Sequence, residues 1–443
     1  MKTLTRDAVS IGAAAVLLAG CSGSQPPINA LGATPSNRAI ASQRSGRAVR
    51  AERQPRETIL YAFQGGSDGA YPGGLVMDAN GAIYGATSVG GAGTCYGGCG
   101  TVFKLTPSGS AYKKRVIYSF QNGSDGGPAS GLIMDPTGAL YGTTGSGSSG
   151  CTPSCGTVYK LLRTKSRYVF HVLYRFKGGS DGYGPYGGVI ADSSGALYGT
   201  TFAGGADAGG TAYKLTPRKS SYKKTTLYNF PTSGDAEPVA NLLLGKHGTL
   251  YGTALFSSVF ELTPSSSGYT ARILHQLRGS PDGSLPYAPV IAGPHGVLYG
   301  TTYEGGATKR CKTHFGCGTV YELSPTESGY NETVFSFQHR NGAAPLVAIL
   351  LGKNGALYGT TSDGGINTCP GRGKTYCGLA FKLEPTGSGF KEVVLHQFAG
   401  GADGAQPSSA LIGDTDGALY GSTSFGGGTG CQGGCGVIFK IVP

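Results

Sequence analysis

The clearest candidates for chemistry in this chain are cysteines that lie in local pairs. Ten of the eleven form five pairs: Cys95 with Cys99, Cys151 with Cys155, Cys311 with Cys317, Cys369 with Cys377, and Cys431 with Cys435. Two such thiols can form a disulfide in an oxidising compartment, or supply half of a tetrahedral zinc site. Because each pair offers only two ligands and lies in a different part of the chain, we expect disulfides and no metal. Cys21 is the one left over.

Basic side chains are concentrated in two segments of the C-terminal half. A cluster of this kind attracts anionic polymers, although solvated lysines and arginines also keep a chain with a formal net charge of +12 in solution. No nucleic-acid recognition motif accompanies the charge, which argues against DNA or RNA as a partner. The predicted ligand-binding residues are Lys309, Arg310, Lys312, His314, Arg372 and Lys374, with Arg278, His339 and Arg340 in nearby connections.

Two carboxylates offer a catalytic alternative. Glu304 and Asp363 both precede a Gly-Gly pair at equivalent places, and paired carboxylates are the machinery of glycoside hydrolysis. A polysaccharide hydrolase or lyase is therefore the alternative function. With seven histidines, no tryptophan and no motif for a nucleophilic serine, the sequence favours binding over catalysis and predicts no cofactor.

An aspartate also recurs in the Gly-rich segments. Its carboxylate could ligate Ca²⁺, or it could cap an Asp-Gly turn, where the glycine supplies a positive φ. We favour the turn, because it needs no metal. The residues are Asp68, Asp125, Asp181, Asp282 and Asp403, whereas the sixth repeat lacks the aspartate.

All of these residues belong to an internal sequence repeat. One phrase occurs seven times, as in GALYGTT, at intervals of 48 to 62 residues, which indicates a propeller or a solenoid. Residues that recur in all seven repeats are expected to have a structural role, because each repeat forms a similar unit. The tyrosines of the phrase are Tyr84, Tyr141, Tyr198, Tyr251, Tyr299, Tyr358 and Tyr420.

Each repeat resolves into four strand-like segments, so the fold class is all-β. In the second repeat they are Gly131 to Asp135, Ala139 to Thr144, Gly156 to Leu161 and Tyr168 to Phe176. A fourth-strand segment, Glu57 to Phe63, precedes the first phrase, and the chain ends on a third strand, Gly436 to Ile441. We therefore predict a seven-bladed β-propeller with four antiparallel strands per blade, closed by the N-terminal strand in the last blade.

Antiparallel pairing sorts the connections between the two rims of the ring. The links from second to third strand and from one blade to the next emerge on the same rim, whereas the opposite rim carries tight turns. The cysteine pairs, the basic cluster and both carboxylates all fall in the first set. A functional surface is expected where the loops are long and differ between blades.

The phrase GALYGTT, the Gly-Gly that often follows it, and the GTVFKL strand with its TPSG turn (Thr106 to Gly109) resemble the Gloeo/Verruco repeat family. The fourth blade departs from that pattern, because Ala254 leads almost directly to SSVFEL. The resemblance implies an exported bacterial protein with a surface anchor. It implies no catalytic residues.

The N-terminus predicts the anchor. Residues 1–21 read as a lipoprotein signal peptide: Lys2 and Arg6 precede an apolar stretch that ends in Leu18-Ala19-Gly20-Cys21, too short to span a membrane. Residues 22–56 read as a disordered basic tether, and residues 57–443 as the propeller. We expect a monomeric lipoprotein outside the cytoplasm, attached to the membrane of the bacterial cell envelope, that binds an anionic polysaccharide or an envelope protein.

Overall fold

The computed structural model of the chain describes residues 54–109, 111–121, 125–128, 131–147, 155–219, 221–232, 237–255, 257–266, 268–307, 311, 316–370 and 376–443. These residues form seven antiparallel sheets arranged as a β-propeller, which confirms the predicted fold class. Each sheet is one blade. Within the described residues, no helix has the length and hydrophobicity needed to span a bilayer.

The first three blades follow one another along the chain, each with its strands in sequence order. Blade 1 comprises β2 (Ala70–Met77), β3 (Ile83–Val89), β4 (Thr101–Ser108) and β5 (Ala111–Ser119). Blade 2 comprises β6 (Ile133–Met134), β7 (Leu140–Thr144), β8 (Thr157–Arg163) and β9 (Tyr168–Arg175). Blade 3 comprises β10 (Ile190–Ala191), β11 (Leu197–Thr201), β12 (Thr211–Pro217) and β13 (Tyr222–Asn229).

The next three blades repeat this order. Blade 4 comprises β14 (Leu243–Leu244), β15 (Leu250–Ala254), β16 (Ser258–Ser265) and β17 (Gly268–Gln276). Blade 5 comprises β18 (Ile291–Ala292), β19 (Leu298–Thr302), β20 (Thr319–Pro325) and β21 (Tyr330–Ser336). Blade 6 comprises β22 (Leu350–Leu351), β23 (Leu357–Thr361), β24 (Leu379–Thr386) and β25 (Gly389–Gln397).

Blade 7 closes the ring with a strand from the other end of the chain. Its C-terminal part comprises β26 (Ala405–Pro407), β27 (Ile412–Gly413), β28 (Leu419–Phe425) and β29 (Val437–Val442). The N-terminal strand β1 (Arg56–Ala62) pairs antiparallel with β29, from Arg56 opposite Val442 to Ala62 opposite Val437. The predicted closure is therefore confirmed.

The first strand of most blades is much shorter than predicted. In blade 2 it covers Ile133–Met134 rather than Gly131 to Asp135. Asp135 already belongs to the turn, because its Oδ1 accepts hydrogen bonds from the N–H groups of Thr137 and Ala139. The other strands agree with the prediction to within two residues.

The hydrophobic core lies between neighbouring blades. In most blades a phenylalanine follows the fourth, outermost strand and packs on an aromatic ring of the third strand of the next blade. Phe63 packs on Phe103 in this way, with ring centroids 5.1 Å apart. Burial of both sheet faces explains why the strands carry consecutive apolar residues. The same contact recurs in Phe120–Tyr159, Phe176–Tyr213, Phe230–Phe260, Phe337–Phe381 and Phe398–Phe439.

The repeated phrase builds this packing. A Cβ on Gly85 would lie 2.6 Å from Cζ of Phe103, so only glycine leaves room for the ring. The hydroxyl of Tyr84 donates to Asp78 of the preceding turn at 3.1 Å, and the hydroxyls of Thr87 and Thr101 lie 2.8 Å apart across β3 and β4. The residues that recur are therefore structural, and function has to be sought where blades differ.

Candidate functional site

One cavity of about 730 Å³ opens where the connection between blades 5 and 6 meets the β23–β24 loop. Its size falls within the usual range for ligand sites. Donor groups, two aromatic rings and one aliphatic side chain face it together. The lining residues are Gln338, His339, Arg340, Asn341, Gly365, Ile366 and Tyr376.

The loop that follows β21 positions the imidazole and the guanidinium. Asn341 Oδ1 accepts the N–H of Gln338 at 2.6 Å, and the N–H of Gly365 donates to the carbonyl of His339 at 2.7 Å. The first bond closes the connection on itself, and the second ties it to the β23–β24 loop. His339 has a left-handed backbone with a φ of 61° and is half-buried, whereas Arg340 is exposed.

Tyr376 forms the opposite wall. Its ring meets the ring of His339 edge to face, with centroids 4.3 Å apart. Its N–H donates to Asp363 Oδ1 at 3.1 Å, and the disulfide between Cys369 and Cys377 closes the loop beside it. Ile366 completes the wall and keeps 65% of its surface exposed. An aromatic and aliphatic wall of this kind can pack against the apolar face of a sugar ring.

The predicted binding residues Lys309, Arg310, Lys312, His314, Arg372 and Lys374 lie outside the described residues. Two disulfides nevertheless tether the segments that carry four of them. Arg372 and Lys374 fall between Cys369 and Cys377, and Lys312 and His314 fall between Cys311 and Cys317. The first tethered segment leads directly into Tyr376 of the cavity.

The two catalytic candidates occupy equivalent places, as the sequence indicates. The carbonyl of Glu304 accepts the N–H of Ser284, and the carbonyl of Asp363 accepts the N–H of Ala343. Burial, together with the negative charges of Glu304 and Asp363, raises the pKa of Tyr303. The Oδ1 atom of Asp363 also accepts the N–H of Gly364 at 2.8 Å. With two loop N–H groups bonded to it, this carboxylate organises the loop that carries Tyr376.

The cysteine pairs form disulfides wherever both partners are described. These are Cys95–Cys99, Cys311–Cys317, Cys369–Cys377 and Cys431–Cys435, each between the second and third strands of its blade. Cys151 and Cys21 lie outside the described residues. Disulfides in the Gly-rich loops are typical of a protein in an oxidising, non-cytoplasmic compartment.

Four of the recurring aspartates cap turns. Asp68, for example, accepts the N–H of Gln64 at 2.8 Å and the hydroxyl of Tyr61 at 2.8 Å. Asp125, Asp181 and Asp403 accept the N–H four residues earlier in the same way. In blade 6 the capping oxygen belongs to Asn341, so the blade that lacks the aspartate keeps the turn and presents an amide to the cavity.

Sequence reasoning placed His339 and Arg340 near the basic cluster but missed Gln338, Asn341, Ile366 and Tyr376. The sequence signal was asymmetry, because HRNGAAP has no aspartate where the corresponding connections of the other blades carry one. The basic character of that blade pointed to the same region of the ring.

The comparisons with known proteins concern the family and the fold. The sequence profile of the Gloeobacter/Verrucomicrobia repeat matches residues 32–257 and 255–443. Together the two matches cover more than nine-tenths of the chain. A search of curated proteins finds no match.

Many solved structures share the propeller fold. A fungal alcohol oxidase of the AA5 family in complex with copper has a TM-score of 0.57 at 11% identity, over 88% of this chain and 77% of that one. The extracellular domain of a putative hybrid two-component system of B. thetaiotaomicron has a TM-score of 0.51 at 12% identity, over 88% and 42%. At such identities the similarity extends to the fold alone, since one propeller scaffold hosts many functions.

Proposed function

The chain belongs to the Gloeobacter/Verrucomicrobia repeat family, and from that premise we propose that it is a lipid-anchored binding protein of the cell envelope. Its ligand is an anionic polymer, of which an acidic polysaccharide is the chemistry that fits best. The protein acts as a monomer outside the cytoplasm, and the lipid on Cys21 holds it at the membrane.

The cavity between blades 5 and 6 is the observation that carries the proposal. An exposed guanidinium at Arg340, an imidazole at His339 and amides at Gln338 and Asn341 converge on one concave surface beside Tyr376. Cationic and neutral donors match carboxylate and hydroxyl groups, and the aromatic wall matches a sugar ring. Four further basic residues lie in the two segments that disulfides close before and after this connection in the sequence, between Cys311 and Cys317 and between Cys369 and Cys377.

Binding is a better explanation of this arrangement than catalysis. A glycosidase needs one carboxyl group to protonate the leaving oxygen and another to activate water or attack the sugar. Asp363 instead accepts the N–H groups of Gly364 and Tyr376, so its Oδ1 atom is already engaged by its own loop. The carboxylate of Asp363 therefore holds the loop that carries Tyr376 of the cavity.

The test is a titration of the purified protein with polygalacturonate, an acidic polysaccharide, at low and high salt. Replacement of Arg340 by Glu should weaken binding by about tenfold or more, because a charge-assisted hydrogen bond contributes about 1.5–3 kcal/mol. Binding should also weaken with salt, since exposed charges are screened over about 10 Å at 0.1 M.

The matched control is Arg218→Glu. Arg218 is an exposed residue of the tight turn between β12 and β13, on the rim opposite the cavity, and the substitution changes the net charge equally. Equal affinities of the two variants would show that only overall charge matters. Salt-independent binding, or none to polygalacturonate or other acidic polysaccharides, would overturn the proposal.

A further inference from the structure

A buried lysine lies across two of the seven blade junctions. At the junction of blades 7 and 1, Lys114 Nζ lies 2.6 Å from Asp68 Oδ1, and at the junction of blades 2 and 3, Lys224 Nζ lies 2.9 Å from Asp181 Oδ1. The side chains of these lysines keep 3% and 6% of their surface exposed. Each junction thus places a cation against the carboxylate that caps the loop of the preceding blade.

The position of these lysines is defined by strand register. Lys114 is paired with Leu105 of the third strand and Lys224 with Leu215, both fully buried leucines. The same pairing with the third strand identifies two equivalent residues. They are Glu332 of β21, opposite Leu323, and Glu57 of β1, opposite Ile441. At these two junctions an acidic residue therefore replaces the buried cation.

Both acidic residues face a histidine and a second carboxylate. Glu332 Oε1 lies 3.2 Å from His275 Nε2, with Asp282 beside them, at the junction of blades 4 and 5. At the junction of blades 6 and 7, His396 Nε2 lies 2.8 Å from Asp403 Oδ1, with Glu57 beside them. In each cluster the three ligand atoms lie within 4.8 Å of one another.

Glu57 Oε1 is buried and has no hydrogen-bond partner among the described residues. His275 Nε2 and Glu332 Oε1 are also buried, and their 3.2 Å contact with each other is an ion-pair distance without hydrogen-bond geometry. Buried polar atoms normally have a partner, and the cost of leaving one unsatisfied is largest for a carboxylate.

We propose that each cluster binds one divalent metal ion, which takes the place that the lysine ammonium holds at the other two junctions. One site consists of His275, Asp282 and Glu332, and the other of Glu57, His396 and Asp403. One imidazole nitrogen and two carboxylate oxygens form a donor set that suits Zn²⁺. Ligands 2.0–2.2 Å from zinc lie up to about 4 Å apart, so small side-chain rotations complete the site.

The two ions join separate blades. The first site links β17 of blade 4 to β21 of blade 5. The second links the outer strand of blade 6 to β1, the strand that closes the ring. Because the metal ions would bind the folded ring and not the unfolded chain, they would stabilise both junctions by mass action. The role of these sites is therefore structural and independent of the proposed polysaccharide site.

The experiment is a calorimetric titration of the purified, chelator-treated protein with Zn²⁺. We expect two equivalents bound by the wild type, and one each by Glu57→Gln and Glu332→Gln. The matched control, Glu327→Gln, alters an exposed glutamate between β20 and β21 and should leave two equivalents. Addition of zinc should also raise the thermal midpoint of the wild type.

A variant that rebuilds the lysine junction separates metal binding from folding. His275→Tyr/Glu332→Lys recreates the Tyr61, Asp68 and Lys114 arrangement around Asp282. It should fold, bind one equivalent of zinc, and lose less thermal stability than the wild type when chelator is added. Unchanged stoichiometry in all variants would overturn the proposal. A second result would also overturn it: a wild-type thermal midpoint that changes with pH in the range where histidine is protonated, but not with zinc. Protonated histidines would then be the buried cations at these junctions.

Discussion

At the residue scale, Glu392 is a half-buried acid whose charge opposes folding. It lies on β25 opposite Leu383, in the register position that Lys114 and Lys224 occupy elsewhere. Burial raises its pKa to about 7 from 4.5, and a hydrogen bond from Asn341 offsets part of that shift. Its Oε1 has no hydrogen-bond partner among the described residues.

The raised pKa determines the sign of a pH effect. Between about pH 4.5 and pH 7 the folded protein binds a proton at Glu392 more tightly than the unfolded chain does, so this contribution to stability is lost as the pH rises through 7. Glu392→Gln should therefore stabilise the protein at pH 8, by on the order of 1–3 kcal/mol, and change little at pH 4. Urea unfolding at both pH values measures this.

Glu327→Gln supplies the control for that comparison, because it removes an exposed glutamate without relieving any burial. Its stability should follow that of the wild type at both pH values. A gain for Glu392→Gln of the same size at pH 4 and pH 8 would show that the side chain destabilises the junction by its shape and not by its charge.

At the element scale, the sequence predicts strands wherever the repeat is strongest. The second, third and fourth strands agree because their residues recur with the same partners, as Gly85 does under the ring of Phe103. The first strands are less predictable, because the residues around Ile133 look extended in the sequence although only two of them pair. Pairing depends on the neighbouring strand, which local sequence does not describe.

The candidate sites were harder to predict than the strands. Lys114 meets Asp68 across a blade boundary, 46 positions away in the chain, and the metal clusters likewise combine residues of two blades. The cavity joins Asn341 and Tyr376 from two separate loops. A repeat reveals which residues are equivalent but not which ones face each other between blades, so only the region and its basic character were predictable.

The closing strand β1 gives the element-scale prediction. Removal of residues 1–63 should destabilise the whole propeller, because it exposes the edge of β29 and removes Phe63, which is fully buried against Phe103. Loss of a buried phenylalanine alone costs about 3–5 kcal/mol. Removal of residues 1–50 should leave the thermal midpoint unchanged. Thermal unfolding and size-exclusion chromatography of both truncated proteins measure this, and equal midpoints would contradict closure by β1.

At the scale of the whole molecule, the two rims of the ring differ in their connections. One rim carries tight turns. The other carries the disulfides, the cavity and the long loops that differ between blades. The disulfides join cysteines four to eight positions apart, and each disulfide contributes only about 2 kcal/mol on a chain-entropy basis. They therefore order the long loops of this rim more than they hold the ring.

The membrane tether is the last prediction, and it belongs to the whole molecule. Cys21 lies outside the described residues and is the one cysteine without a nearby partner in the sequence. Lipidation there should hold the protein in the membrane fraction, because several acyl chains give far firmer anchoring than a single chain. Cys21→Ala should therefore move the protein to the soluble fraction or block its maturation, which fractionation with immunoblotting and mass spectrometry of the N-terminus would measure. Cys431→Ala is the control, because it also removes a thiol but disrupts a disulfide of the ring, and it should stay membrane-bound. A wild-type protein that remains attached with an unmodified Cys21 would show that a different part of the molecule contacts the membrane.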